Sequence, residues 1–592
     1  MATPQRKKPT SRRRTFVILG VVAVLALVIA GLGAYAYTQL SSARDDLNRA
    51  TTDASELQDA LTAGDQARAR SELTDLQNNV RSARSSLGSS VLSAAAKVPV
   101  FGKNVTAVRD VAAAVSTVAE DGLPPLVDVA DQLDAKAFNP QGGRIDVAAL
   151  AALTPNLTAS AKAIGEADAA ISSIDASSLL GALRGPVTDA QDKIGAAADI
   201  ASRATTASEV LPQMLAGKHT YLLMFENNAE IRATGGLPGA YALIKVDDGK
   251  ISLGAQGTGA KLGDLDKAAL KLTEEEENLF TDLLVTDLRD VNFTPDFPRA
   301  AQIAAAIVEQ ENGDTVDGVL SLDPVTLSYL LEGIGSVTLE DGTRLTPENA
   351  VDTLLNGVYV TYPDPDEQDA FFASATQKIF DKVVSGEGDP NTLMKALTRA
   401  ANERRIGVWS KDDSIEKALA TTPLAKAMPT GADASPAIGF YLNDSTGAKM
   451  QYYLNYSVKG EATKCSADGV QSYTSEMTLQ STAPADSASL PVSIQGPGFG
   501  AEPGSMLMNL YLYGTDAGSI DTVTIDGEEV TFTRGTHEGR PVVILTIQVD
   551  PGQTVKVQST LASGPGQKGS TAVASTPSIV PGASVQTWKS AC

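Results

Sequence analysis

The sequence predicts a multidomain α+β protein, and three observations carry that reading. At 592 residues the chain is too long for one hydrophobic core, since cores stop growing near about 250–300 residues. Aromatic residues make up only 5% and are unevenly spread: Phe101 and Phe138 are the only ones between Gln39 and Pro212, whereas the C-terminal third is rich in tyrosine. The apolar spacing also changes along the chain, from a helical period to mixed segments and then to strict alternation.

The first element is a basic tail over residues 1–14, with Arg6, Lys7, Lys8, Arg12, Arg13 and Arg14. An uncharged, almost wholly apolar run over 15–38 follows, long enough to cross a hydrocarbon core about 30 Å thick. Basic residues before such a span keep that side in the cytoplasm, so the bulk of the chain is expected outside a cell membrane that it crosses once. Ala34 and Ala36 are a tolerable match to a signal-peptide cleavage site, but the apolar run is long for a leader.

Residues 39–207 read as an extracellular helical bundle or stalk. Leu73, Leu76, Val80, Ala83 and Leu87 recur at spacings of three and four on one helical stripe. Pro99, Gly102, the Pro124–Pro125 pair and the Gly142–Gly143 pair are expected to divide the region into four to six alanine-rich helices. Over 208–425 strand-like and helix-like segments alternate, which predicts an α/β domain with a sheet covered by helices. Strands are expected at 221–225, 240–246 and 316–321, and helices at 300–309 and 324–331. Thr273 followed by Glu276 gives a helix N-terminus with a capping box.

Residues 426–437, within a stretch rich in Pro, Thr, Ala and Gly, read as a linker. Over 438–592, Tyr452, Leu454, Tyr456 and Val458 alternate with polar residues, and short strands are separated by turns such as Asp550, Pro551 and Gly552. That spacing predicts an immunoglobulin-like β-sandwich. Its two cysteines, Cys465 and Cys592, can form a disulfide in an oxidising space.

Charge and composition exclude several functions. The net charge of −23 makes nucleic acid an unsuitable partner, because phosphate binding needs clustered cations. Two cysteines and two histidines, His219 and His537, do not form a metal-ligand pattern. There is no Gly-x-Ser-x-Gly elbow, and the glycine-rich stretch 257–263 lacks the Gly-Lys-Ser/Thr ending of a phosphate loop. Asp364, Asp366, Glu367 and Asp369 lack the central glycine of a calcium loop and read as a solvated turn before a helix containing Phe371.

The densest set of candidate binding groups follows the strand at 221–225: Asn228, Arg232, Gly235 and Gly236. Arginine beside two glycines suits an anion gripped bidentately, or else a structural ion pair with Glu226 or Glu230. Arg289, Asp290 and Asn292 form a second polar knot.

Residues 218–249, centred on Phe225, Glu226, Asn227, Asn228, Arg232, Gly235 and Gly236, resemble the bacterial envelope family labelled domain of unknown function 4012. More distantly, residues 317–337, then Leu345, Pro347, Glu348, Asn349 and a helix containing Gln377, are similar to the second half of the LytR-CpsA-Psr phosphotransferase core. Those enzymes transfer a glycopolymer from a polyprenyl-pyrophosphate carrier to the cell wall, using arginines and Mg²⁺. The likeness places Arg232 and Asn292 on family positions, but Thr234 stands where the enzymes carry aspartate, and the segment 359–368 has no arginine. The resemblance therefore implies a membrane-anchored envelope protein that binds or scaffolds a cell-wall glycopolymer, a lipid-linked precursor or an envelope protein. The alternative is a divergent phosphotransferase, and only that alternative calls for Mg²⁺; no other cofactor is expected.

Overall fold

The computed structural model describes residues 41–592 except 64, 88–100, 133–141, 430 and 432–433. The expected basic tail and membrane span lie outside these residues. No described helix is long and apolar enough to cross a membrane. The chain divides into two compact units, residues 1–216 and 217–592.

The first unit is helical. Its main helices are α1 (Ser41–Ala63), α2 (Gln66–Leu87), α3 (Phe101–Thr117), α4 (Leu123–Gln132), α5 (Thr154–Ser172) and α6 (Gly181–Leu215). The expected stripe is the buried face of α2, with Ala69 added to it. The core is built from alanine, leucine and valine, with side chains short enough for close helix packing. The Pro124–Pro125 pair does not break the chain's helical course. A π-helical turn at Val118–Gly122 joins α3 to α4, and the prolines fall in the first turn of α4, where a missing N–H is tolerated. Helix α6 runs to Leu215, past the boundary expected at residue 207.

The second unit opens with a mixed five-stranded sheet. Strands β1 (Lys218–Asn227), β2 (Leu237–Asp247), β3 (Lys250–Thr258), β4 (Gly318–Leu322) and β5 (Gly407–Ser410) lie in the order β3-β2-β1-β4-β5. Only the β1–β4 pair is parallel. The alternation of β1 sends Leu222 and Met224 to one face. There they share a core with Phe297, Ile303 and Val308 of α8 (Phe297–Asn312). Helix α7 (Glu274–Phe280) begins with the expected capping box of Thr273 and Glu276. The opposite sheet face carries α9 (Pro324–Ile334) and α10 (Pro365–Val384), with α11 (Pro390–Asn402) beyond. Asp364 caps α10 by accepting from Asp366 N, which accounts for part of the acidic cluster before Phe371.

The C-terminal part is β-rich. Six strands are ordered β12-β13-β9-β6-β15-β16: β6 (Ala437–Asp444), β9 (Met506–Tyr513), β12 (Thr533–His537), β13 (Arg540–Val549), β15 (Thr571–Ser575) and β16 (Val585–Trp588). Five more are ordered β11-β10-β14-β8-β7: β7 (Leu454–Cys465), β8 (Gln471–Ser481), β10 (Ser519–Ile525), β11 (Glu528–Glu529) and β14 (Thr554–Ala562). Residues of both sheets, such as Phe440, Leu510, Met477 and Val557, share one core. These eleven strands, among the described residues, exceed the seven to nine of an immunoglobulin domain, and β6 and β15 run parallel.

Strand β6 is buried at all eight positions because both faces are covered. Its Phe440 and Leu442 face the partner sheet, while Tyr441 joins Tyr511, Tyr513 and Phe280 under the α/β part. The linker expected at 426–437 is therefore integral to the fold. Lys426 and Met428 are buried, and Arg540 donates to the Pro429 carbonyl at 2.6 Å.

Cys465, at the end of β7, is bonded to Cys592 at the chain terminus. In the chain-entropy view so long a loop stabilises chiefly by restricting the unfolded state. Cys592→Ser is expected to lower the unfolding free energy by about 2–4 kcal/mol, read from denaturant titration under non-reducing conditions.

His537 is buried beside Tyr513, whose hydroxyl lies 3.0 Å from Nδ1, and its ring meets Phe280 edge-on. Burial pushes its pKa below the ordinary 6.5, against the pull of Glu276, Asp296 and Glu275. A depressed folded-state pKa means that this contribution is complete above about pH 6.5 and is lost as pH falls through the folded value. The stability gap between wild type and His537→Gln is expected to shrink from pH 7.5 to 5.5, measured by thermal melting at each pH.

Candidate functional site

The segment that joins β1 to β2 is the centre of the second unit. Residues 228–238 are buried throughout. Their backbone groups bond to the β-rich part: Ala233 N donates to Asn443 Oδ1 at 2.8 Å, Asp444 N donates to the Ile231 carbonyl at 2.9 Å, and Thr576 Oγ1 donates to the Ala233 carbonyl at 3.1 Å. The loop is therefore a plug between the sheet and strands β6 and β15.

This placement decides the role of Arg232. Its guanidinium donates to Asp290 Oδ1 from Nε at 3.2 Å and from Nη2 at 3.0 Å, reaches Glu230 at 3.4 Å and lies 4.9 Å from the centroid of Phe293. Only 5% of the residue is exposed. Arg232 is an internal counter-ion with no face left for an external anion, and Asp290 is committed to it. Burial raises the Asp290 carboxyl, opposed by Arg232.

Glycine is required at two positions of this loop for packing. A Cβ on Gly236 would come within 2.4 Å of Asn227 backbone atoms, and one on Gly235, at φ +147°, within 2.8 Å of Glu226 Oε2. Asn228 Nδ2 donates to the Gly235 carbonyl, and Asn292 Nδ2 to the Gly236 carbonyl at 2.9 Å. Of the seven candidate binding residues, these six are internal, whereas Arg289 lines the cavity described below.

Around the plug runs a buried ionic seam. Lys426 Nζ donates to Glu226 Oε2 at 2.7 Å with both side chains 1% exposed. Arg405, wholly buried, donates to Asp323 at 2.8 Å, to Glu403 at 2.6 Å and to the carbonyls of Ser578 and Val580. Each cation here joins the α/β part to the segment leading into, or lying within, the β-rich part. Arg405→Met would leave Asp323 buried without its cation and Glu403 with Arg399 alone, at 3.0 Å. A loss of about 3–5 kcal/mol is expected, measured by chemical denaturation, and Asp323→Asn in the same background is expected to recover part of it.

A cavity of about 610 Å³ opens on the sheet face that α9 and α10 cover. Leu223 and Phe225 of β1, Leu237 of β2 and Leu322 of β4 form its floor. Phe372, Ala375, Thr376, Ile379, Phe380 and Val383 recur at helical spacing along α10 and form its roof. Leu327 and Leu330 of α9, with Leu354 and Leu355 of a π-helical turn, close one wall.

Polar groups sit at two places in this apolar space. At the inner end Asn227 Nδ2 donates to Tyr359 Oη at 2.7 Å. Lys449 pairs with Glu230 at 3.3 Å and lies 4.9 Å from the Tyr359 ring centroid. Burial pushes the Tyr359 phenol up to about 12. At the rim, Arg289 is held bidentately by Asp287, with Asp264 at 3.6 Å, and keeps a third of its side chain exposed. Asp369 lines the cavity there too, and Lys261, outside the lining, lies 3.9 Å from it.

These residues do not fit a magnesium-dependent pyrophosphate site. Among the described residues no three His, Cys, Asp or Glu side chains converge to hold a metal, and the rim cations already face carboxylates. The sequence signal for the cavity was the apolar stripe on α10; what hid it was that such a stripe ordinarily packs against a sheet without leaving space.

Residues 216–359 match the model of a family described as protein of unknown function, DUF4012. The segment 218–249, whose resemblance pointed to that family, lies inside the match. No curated protein matches the chain. Among solved structures, the crystal structure of protein gbs0355 from Streptococcus agalactiae aligns at 14% identity over 37% of this chain and 79% of its own, with a TM-score of 0.24.

Proposed function

We propose that this protein is a single-pass, membrane-anchored component of the bacterial cell envelope that binds an amphiphilic, lipid-linked precursor without turning it over. The observation that carries the reading is the cavity between the sheet and α10: its lining is mainly apolar, with leucine and phenylalanine foremost, and such a surface suits a hydrocarbon chain. Arg289 at the rim, with Lys261 beside the lining residue Asp369, suits the polar head of the same ligand, while the bulk of the chain stays outside the membrane. Binding rather than catalysis is favoured because the carboxylates and arginines that phosphoryl chemistry would use are committed to one another inside the fold.

The test uses the full chain in detergent micelles with a fluorescent polyprenyl phosphate. Saturable binding is expected, with no phosphate released from polyprenyl pyrophosphate in the presence of Mg²⁺. Thr376→Trp, which projects an indole into the cavity, is expected to weaken binding about tenfold, equivalent to about 1.4 kcal/mol, while leaving the circular dichroism unchanged. Equal affinity in the filled variant would remove the cavity from the reading, and Mg²⁺-dependent phosphate release would restore the phosphotransferase alternative.

A further inference from the structure

The Glu226 carboxylate bridges two nitrogen groups that have a chemistry of their own. Its Oε2 accepts from Lys426 Nζ at 2.7 Å and its Oε1 accepts from Asn292 Nδ2 at 3.2 Å. One carboxylate thus stands between a primary amine and a carboxamide. All three side chains are sealed from solvent, Asn292 at 0% exposure and the other two at 1%. The Phe297 ring centroid lies 5.7 Å from Lys426 Nζ, which adds an aromatic wall to the site.

Both reactive groups are held in place. Lys426 has left-handed backbone geometry (φ 49°), and the Arg404 guanidinium donates to its carbonyl at 3.0 Å. Asn292 Nδ2 also donates to the Gly236 carbonyl at 2.9 Å, which fixes the amide plane and leaves Oδ1 without a hydrogen-bond partner. A buried acceptor without a partner costs free energy, so its persistence asks for a reason.

We propose that Lys426 and Asn292 become joined by an intramolecular isopeptide bond, formed by the protein itself with Glu226 as the catalytic proton carrier. Lys426 Nζ gives a proton to Glu226 and, as the free amine, attacks Cγ of Asn292. The Nζ–Cγ bond forms as the Cγ–Nδ2 bond breaks. Glu226 protonates the departing Nδ2, which leaves as ammonia, and takes up the remaining surplus proton from Nζ. One amide replaces another, so no oxidant, reductant, water or cofactor enters the balance. Burial raises the Glu226 carboxyl and lowers the Lys426 ammonium, each opposed by the other's charge, and both directions favour the neutral amine that attacks and the protonated acid that assists. The product would tie the α/β part covalently to the segment entering the β-rich part.

Peptide mapping by mass spectrometry of the reduced, full-length protein tests this. The expected result is a branched peptide pair that joins Lys426 to Asn292 and is one ammonia lighter than the two peptides together. Glu226→Gln and Lys426→Arg are each expected to abolish the pair. The wild-type map decides even if neither variant folds. Recovery of the Lys426 and Asn292 peptides unjoined and at full mass, a bond from Lys426 to another residue, or persistence of the bond in Glu226→Gln would each overturn the proposal.

Discussion

Burying ions is costly unless each finds its partner, and the second unit of this protein is organised around that requirement. Glu226, Glu230 and Asp323 lie at or near the ends of sheet strands, where the chain leaves the hydrogen-bonded ladder, and Asp290 joins them from the 3-10 turn at Leu288–Phe293. Their cations come from elsewhere: Lys426 and Arg405 from the chain after α11, Lys449 from the loop after β6, and Arg232 from the plug itself. A carboxylate left behind by any of them would face a desolvation penalty of several kcal/mol. The sheet and the β-rich part are accordingly held in one relative placement, because only that placement satisfies the charges. The apolar cavity profits from the same rigidity, since Glu226, Glu230, Asp323 and Lys449 stand along its inner end.

The regular elements were legible because each rests on local rules. The strands at 221–225, 240–246 and 316–321, the helices at 300–309 and 324–331, and the capping box at Thr273 all follow from short-range spacing and hydrogen bonding. The disulfide was legible because a lone pair of cysteines has a single pairing within the chain. The helical reading of the Ala-rich region held, but the proline pair misled, because a π-helical turn lets the helix absorb it.

The candidate site was legible in composition and not in meaning. Arg232, Gly235 and Gly236 do form a dense polar node, yet the groups that complete it, Asn443, Asp444 and Thr576, lie more than two hundred residues away in sequence. Nothing local distinguishes an arginine awaiting a ligand from one awaiting a distant stretch of its own chain. The segment 426–437 misled for the same reason. Proline, glycine and alanine suggest a free linker, whereas Lys426 is among the most deeply buried residues because Glu226 needs it. The cavity depends on how far α10 stands off the sheet, a distance that no periodicity encodes.

The ionic seam has a consequence for how the protein is made. A ribosome delivers Glu226, Asp323 and the rest of the matched segment long before it delivers Lys426, and Ser578 and Val580, whose carbonyls bind Arg405, come about 150 residues later still. Until then the sheet carries carboxylates that it cannot bury, so the nascent α/β part has reason to stay open and to expose its apolar strands. The segment 216–359 is thus a unit of sequence kinship and not a unit of folding. A chain of this design calls for a holding factor until the missing cations have been synthesised, and gene fragments cut at the edges of the matched segment are poor choices for expression.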